Sequence, residues 1–251
     1  ETARRLRENI QKVIVGKDDV INLSLVAVLC EGHMLLEDVP GIGKTTLARA
    51  LAVSLGGTFR RIQFTPDLLP SDVTGLSIYN QKTQEFEFRP GPIMSQVVLA
   101  DEINRATPKT QSALLEAMQE KAVTAAGTRY QLEPPFFVMA TQNPIEQEGT
   151  YPLPEAQVDR FFFKLIVNYS SRAEIHTILD RTTTGHRPDI KPVMSGEQII
   201  GAQKLVQRVV IAPHVQDYAI RLTLATHPQG EFATDQANKY VRWGSSPRGA
   251  Q

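Results

Sequence analysis

The chain has 251 residues, of which 41% are hydrophobic and 22% charged, a composition that suits one large or two small globular domains. Its 27 Lys and Arg residues balance its 27 Asp and Glu residues, which argues against a dominant basic face for nucleic acid. The one cysteine, Cys30, excludes an internal disulfide and indicates a reducing, cytoplasmic setting, and no apolar run approaches the roughly 20 residues that a membrane span needs.

Apolar runs alternate with helical patterns along the first 170 residues. Two helices are predicted before residue 30, and later helical patterns cover 44–55 and 107–120. The strand candidates between them are 34–36, 59–64, 97–100, 136–140 and 161–167. These runs are apolar rather than alternating, as strands covered on both faces are, so we predict an α/β fold with an open, mostly parallel sheet.

After residue 169 the pattern becomes wholly helical. The helical stretches are 172–181, 196–210, 214–226 and 234–243, joined by linkers that carry Pro and Gly. We therefore predict two domains, an α/β domain at 1–169 and a small helical domain at 170–251. Because the chain begins with Glu1 rather than Met, we expect a fragment of a longer protein, with the helical domain incomplete.

Two segments interrupt the simple alternation of strands and helices. The stretch 64–96 contains four prolines and no convincing helix, and its residues 76–79 and 85–88 suit a hairpin. A second hairpin is predicted at 123–132, around Gly127. A long irregular insertion is usually functional, although a solvated surface loop is an equal alternative.

The strongest motif is DVPGIGKTT, residues 38–46, which follows a strand candidate and opens a helix. Gly41 and Gly43 let backbone N–H groups turn toward phosphate oxygens, Lys44 supplies charge for the β- and γ-phosphates, and Thr45 supplies a hydroxyl for Mg²⁺. Asp38 stands where the general pattern begins with Gly. A glycine-rich turn with a chance Lys-Thr pair is the alternative. The nucleotide-binding residues predicted here are Asp38, Val39, Pro40, Gly41, Ile42, Gly43, Lys44, Thr45 and Thr46.

Polar residues follow two later strands. Asp101 and Glu102 end the apolar run 97–100, at the edge of a parallel sheet where ligands bind. Asp101 would hold Mg²⁺ through water, and Glu102 would act as the general base on the water that attacks the γ-phosphate. Asn143 follows the run 136–140 and would orient that water. Each signal alone also fits an ordinary strand end or an Asn-Pro turn.

Two arginines are further candidates. Arg160 lies just before the fifth strand candidate, and Arg248 follows Ser246 and Pro247, which suit the first turn of a helix. Either guanidinium could bind a γ-phosphate, or simply pair with a surface acid.

Taken together, these blocks resemble the AAA+ ATPases, and within them the MoxR family. The blocks are DVPGIGKTT, VVLADEINRA, QSALLEAMQE, ATQNP and YPLPEAQVDRFFF, in this order along nearly the whole chain. The resemblance implies a three-layer αβα P-loop NTPase core with a parallel five-stranded sheet of order 5-1-4-3-2, and a small all-α lid domain.

The resemblance also implies a role for each matching residue. Gly41, Gly43, Lys44 and Thr45 match Walker A, Asp101 and Glu102 match Walker B, and Asn143 matches sensor 1. Arg160 matches an arginine finger that acts on the neighbouring subunit, and Arg248 matches sensor 2, acting within its own subunit. Val15 and Gly16 match the loop that touches adenine, and 75–92 and 123–132 match two β-hairpin inserts that face a ring pore or a partner.

The function implied by the resemblance is an ATP-driven, Mg²⁺-dependent, chaperone-like remodelling machine. Such proteins usually form hexameric rings, and MoxR-like members often work with a von Willebrand factor A domain protein or a client protein complex. We expect no nucleic acid partner and no membrane insertion. A nucleic-acid motor is the first alternative, and a nucleotide-gated scaffold with little turnover is the second.

Overall fold

The computed structural model describes residues 1–38, 43–143, 149–183 and 188–250. Its helices are α1 (Thr2–Gln11), α2 (Asp18–Leu29), α3 (Lys44–Ser54), α4 (Pro70–Thr74), α5 (Pro108–Glu120), α6 (Glu155–Val158), α7 (Arg172–Thr183), α8 (Gly196–Val206), α9 (Pro213–Ala225) and α10 (Asp235–Tyr240), with short 3-10 helices at Ile103–Arg105 and Pro247–Ala250. Its strands are β1 (Met34–Asp38), β2 (Phe59–Gln63), β3 (Gly75–Asn80), β4 (Glu85–Pro90), β5 (Val97–Asp101), β6 (Ala122–Ala125), β7 (Thr128–Gln131), β8 (Phe137–Gln142) and β9 (Phe163–Val167).

Five of these strands form one parallel sheet in the order β2-β5-β8-β1-β9. Counting only these five along the chain, the order is 5-1-4-3-2 read from β9, as predicted. The chain crosses over after β1, so β1 lies between β8 and β9 rather than beside β2. Ligands of parallel α/β sheets bind at the carboxyl ends of strands beside such a crossover.

Both faces of the sheet are covered at its central strands, which explains why β5 and β8 read as almost unbroken apolar runs. Successive side chains of a strand point to opposite faces. Leu36, Leu99 and Met139 pack in one core cluster with residues of α1, α2 and α3. Leu35, Val98 and Val138 pack in a second cluster with residues of α5. The predicted αβα arrangement is confirmed.

The two inserts are antiparallel hairpins, β3–β4 and β6–β7, as predicted. They contact each other through Phe88 and Tyr130, whose rings stack with centroids 3.8 Å apart. The short helix α4 between β2 and β3 was not predicted, because a five-residue helix that begins with Pro70 has too few turns to show a period.

The structure divides into two compact units, Glu1–Val206 and Gln207–Gln251, so the division does not coincide with the predicted boundary at 169/170. Helices α7 and α8 belong to the first unit, where they are hydrogen-bonded to the ends of α1 and α2. Arg181 donates to the carbonyl oxygens of Gln11 and Lys12, and Gln203 donates to that of Val28.

Two predicted helices are shorter in the structure. Helix α8 ends at Val206 rather than 210, and the β-branched residues Val209 and Val210 lie outside it. Helix α10 ends at Tyr240, where Val241 adopts extended backbone. Within the described residues, no helix is long and apolar enough to cross a membrane.

Candidate nucleotide-binding site

The carboxyl end of β1 and the start of α3 frame the predicted phosphate loop. Asp38 is the last residue of β1, and α3 begins at Lys44. Gly43 precedes it with φ of 85°, a left-handed conformation that favours glycine. Thr45 and Thr46 lie in the first turn of α3, where unpaired backbone N–H groups and the helix dipole favour anions. Val39, Pro40, Gly41 and Ile42 lie outside the described residues.

Lys44 and Asp101 meet at this edge of the sheet. The Lys44 ammonium nitrogen lies 3.5 Å from Oδ1 of Asp101, and both side chains are largely buried. Burial opposes the charge of the Asp101 carboxylate, but hydrogen bonds from Thr141 and Arg61 and the charges of Lys44 and Arg61 lower its pKa below the ordinary value. Asp101 is therefore a charged carboxylate beside a lysine.

Thr141 of β8 ties together Asp101, the last residue of β5, and Glu102, which follows it. The strands pair in register up to Ala100 and Ala140, so Thr141 lies beside Asp101. Its hydroxyl donates to Oδ1 of Asp101 at 2.7 Å and accepts from the Glu102 backbone N–H at 2.9 Å. Glu102 has φ of 57°, a left-handed conformation that is uncommon for a residue other than glycine. The Thr141 hydrogen bond holds that turn.

The Glu102 carboxylate is held by two further side chains. Gln63, at the end of β2, donates to its Oε2 at 2.8 Å, and Arg105 lies 3.1 Å from the same oxygen. Gln63 in turn accepts from Arg61 at 2.6 Å. Glu102 thus sits at the end of a hydrogen-bonded chain that runs along the edge strand β2.

Asn143 follows β8 and is buried. Its backbone carbonyl accepts from the side chain of Asn104 at 3.5 Å. Because β8 lies between β5 and β1, this position is flanked by the Asp101 strand and by the strand that leads to the phosphate loop. The structure thereby brings Lys44, Asp101, Glu102 and Asn143 to the carboxyl edge of one sheet.

Arg160 lies near the amino ends of the sheet strands, opposite the carboxyl ends where Lys44 and Asp101 meet. It is three residues before β9, whose first residue, Phe163, pairs with Met34, the first residue of β1. The phosphate loop follows the other end of β1, about 16 Å away for a five-residue strand. Arg160 instead borders a cavity against α5, formed with Ser112, Leu115, Glu116, Gln119, Glu120 and Gln157.

Comparison with known proteins places this geometry in a family. Residues 33–163, just over half of the chain, match the model of the ATPase family associated with various cellular activities (AAA). The chain is 55% identical to the uncharacterized protein YeaC of Bacillus subtilis over 246 residues, which cover 97% of this chain and 73% of that protein. It is 43% identical to the chaperone MoxR1 of Mycobacterium tuberculosis over 98% of this chain and 65% of that protein.

The chain belongs to the MoxR family of AAA+ ATPases. A solved structure from Cytophaga hutchinsonii, of a protein assigned as an ATPase, superposes with a TM-score of 0.91 at 42% identity. The match covers 99% of this chain and 76% of that one. Family membership and the αβα core together establish a nucleotide-binding fold.

The remaining residues that the MoxR resemblance singles out belong to other elements. Val15 and Gly16 are half-buried in the turn between α1 and α2. Gly16 has φ of 67°, and a side chain there would meet the Glu174 carboxylate of α7. Arg248 lies in the second compact unit, in the 3-10 helix Pro247–Ala250, and is exposed.

Sequence reasoning missed three members of this MoxR-family site: Arg61, Gln63 and Thr141. All are polar side chains on sheet strands, and none lies in the motifs that identified Lys44, Asp101 and Glu102. The sequence signal for Arg61 and Gln63 was their polar character in a strand. It points to this site only when the strand order is known, because that order places β2 next to β5.

Proposed function

We propose that this chain hydrolyses ATP with Mg²⁺ and works as a subunit of a hexameric ring that remodels client proteins. The observation that carries the proposal is the 3.5 Å approach of Lys44 to a charged Asp101, beside the start of α3. The similarity to a protein named as a chaperone supports the client-remodelling part. A von Willebrand factor A domain protein is the partner class we propose.

The residues at the sheet edge suit Mg²⁺ and a triphosphate. Mg²⁺ prefers oxygen ligands, and the charged Asp101 carboxylate and the Thr45 hydroxyl are oxygen donors. When bound, Mg²⁺ would neutralise phosphate charge. Lys44 and the N–H groups of α3 would bind the phosphates, with the helix dipole adding to the attraction.

Glu102 has the position of a general base in this proposal. Its carboxylate is held by Gln63 and Arg105 and remains about a quarter exposed, so a water can approach it. A base must lie within hydrogen-bond reach of the water that it activates. Asn143 would orient that water from the next strand, and Val15 and Gly16 would contact the adenine.

Two substitutions test these roles. Lys44→Ala should abolish binding of ATP, because it removes the buried ammonium, while Asp101 keeps its contacts with Arg61 and Thr141. Glu102→Gln should bind ATP but lose turnover by about 10²–10⁴-fold, the usual contribution of a general base. Binding of a fluorescent ATP analogue and release of phosphate measure the two effects separately.

The exposed Glu133 provides a matched control, since Glu133→Gln makes the same chemical change away from the site. It should leave binding and turnover unchanged. If Glu102→Gln hydrolyses ATP at the normal rate, Glu102 is not the base. If Lys44→Ala binds ATP normally, the proposed nucleotide site is wrong.

A further inference from the structure

Arg61 makes the closest charged contact with Asp101. Its Nη2 and Nε lie 2.6 Å and 3.0 Å from the same oxygen, Oδ2. Nη2 also donates to Gln63 at 2.6 Å, and Gln63 donates to Glu102. One guanidinium is therefore connected to Asp101 directly and to Glu102 through Gln63. Its own side chain is 46% exposed, whereas that of Asp101 is 6% exposed.

The two oxygens of Asp101 have different partners. Oδ1 accepts from Thr141 and lies on the side of Lys44 and α3, and Oδ2 is taken up by Arg61. An arginine stays charged at any physiological pH. A divalent cation attracted to Asp101 would therefore meet a carboxylate whose charge Arg61 already offsets. It would also lie within a few ångströms of a second positive charge, that of Lys44.

We propose that Arg61 weakens the binding of Mg²⁺ at Asp101, and so sets how strongly Mg²⁺ and nucleotide favour each other's binding. Arg61 is a positioning residue in this role, since it acts through Asp101. The inference rests on the proposed function, in which Asp101 serves the Mg²⁺ of ATP. Weaker binding of Mg²⁺ would help product release, which limits turnover in many enzymes. Release is slowed when the metal and the nucleotide bind too tightly.

Arg61 also has an opposite effect, which would strengthen the binding of Mg²⁺, but the geometry makes this effect the smaller of the two. The guanidinium also fixes the orientation of the carboxylate, and a fixed ligand binds a metal better than a mobile one. Thr141 still holds Oδ1 when Arg61 is replaced, and the backbone of β5 stays paired with both β2 and β8. Loss of the positive charge is then the main change.

The test is the affinity for a fluorescent ADP, measured once with EDTA and once with saturating Mg²⁺. The ratio of the two dissociation constants gives the coupling between Mg²⁺ and nucleotide, with no hydrolysis involved. Arg61→Gln should increase this ratio by about 3–10-fold, since it removes a charge beside the metal ligand. Arg61→Lys keeps the charge and should stay within about twofold of the wild type.

Arg60→Gln is the matched control. This substitution removes the same charge one residue away, on the opposite face of β2. The ratio of its two dissociation constants should therefore equal that of the wild type. Arg61→Met repeats the loss of charge while keeping the aliphatic stem, so the test does not depend on the stability of a single variant.

An unchanged or smaller ratio in Arg61→Gln and Arg61→Met overturns the proposal, and so does a rise in Arg61→Lys equal to that in Arg61→Gln. These results would leave the proposed function intact, because the variants still bind ADP. Failure of the wild-type chain to bind ADP under either condition would instead contradict the proposed function as well.

Discussion

Thr141 shows how one hydroxyl organises two catalytic candidates. It is fully buried, and it gives its proton to Asp101 while it receives the N–H of Glu102. A buried donor or acceptor left without a partner costs about 1–3 kcal/mol. Thr141→Val, which keeps the shape and removes the hydroxyl, takes one donor from Oδ1 of Asp101, which keeps Lys44, and leaves the Glu102 backbone N–H without its acceptor.

We therefore expect Thr141→Val to lower the free energy of unfolding by about 1–3 kcal/mol, measured by urea titration with circular dichroism. The Glu102 amide should also exchange its hydrogen faster, because its hydrogen bond is lost. Thr141→Ser keeps the hydroxyl and is the control. Equal stability and equal exchange in the Val and Ser variants would contradict the role of the hydroxyl.

The same residues show which part of the site a sequence can predict. Lys44, Asp101 and Glu102 were found because each sits in a local pattern, a loop before a helix or acids after an apolar strand. Arg61, Gln63 and Thr141 contact those residues only through the parallel register of β2, β5 and β8. No local pattern encodes that register, so their part in the site became visible only in the structure.

At the scale of elements, the five strands of the main sheet were all predicted, most directly the central strands β5 and β8, where burial on both faces leaves little room for polar residues. The outer strand β2 is half-exposed and carries Arg60, Arg61 and Gln63 beside its apolar residues. Helix ends were predicted less well. Nothing in the helical pattern of 196–210 marks Val206 as its end, since the pattern continues to residue 210 while the backbone is helical only to Val206. The boundary at 169 was placed by a change of pattern, whereas the compact unit depends on contacts of α7 and α8 with α1 and α2.

His33 links the start of β1 to β8 and α5, and it contributes a pH-dependent part of the free energy of unfolding. It precedes β1, its Nδ1 accepts from the Val138 N–H of β8, and its Nε2 lies 3.4 Å from the carbonyl oxygen of Met118 in α5. Because Nδ1 accepts, the neutral ring carries its proton on Nε2 and donates to Met118. Burial lowers the pKa of His33 to about 4, opposed by the Met118 hydrogen bond and assisted by the charge of Lys121.

A histidine with a lowered pKa in the folded protein contributes stability that is complete above the unfolded pKa of 6.5 and is lost as the pH falls toward 4. We expect the free energy of unfolding to fall by about 2 kcal/mol between pH 7.5 and pH 5 from this group alone. His33→Gln does not titrate, so the difference between wild type and variant isolates the histidine. A difference that stays constant over this pH range would show that His33 does not carry the effect.

At the scale of the whole molecule, the position of Arg160 argues for shared active sites. The residue lies at the amino edge of the sheet, a strand length from the phosphate loop of its own chain. At that distance Arg160 is out of reach of Lys44 in its own chain, whereas a head-to-tail ring would bring the amino ends of a neighbour's strands toward each site. We expect Arg160→Ala to bind ATP normally and to lose most of its turnover, since an arginine supplied in trans can be worth about 10³–10⁵ in rate.

Mixing two inactive variants separates action in trans from action in cis. Arg160→Ala subunits keep Glu102, and Glu102→Gln subunits keep Arg160, so neither variant alone has a complete site if the arginine acts on the neighbour. In a randomly mixed ring with equal amounts of both, about one quarter of the sites combine an intact Glu102 with a neighbouring Arg160. Phosphate release should therefore recover to roughly that share of the wild-type rate, and it should rise with protein concentration as the ring assembles. An arginine that acts within its own chain predicts no recovery at any ratio, because every subunit carries a lesion.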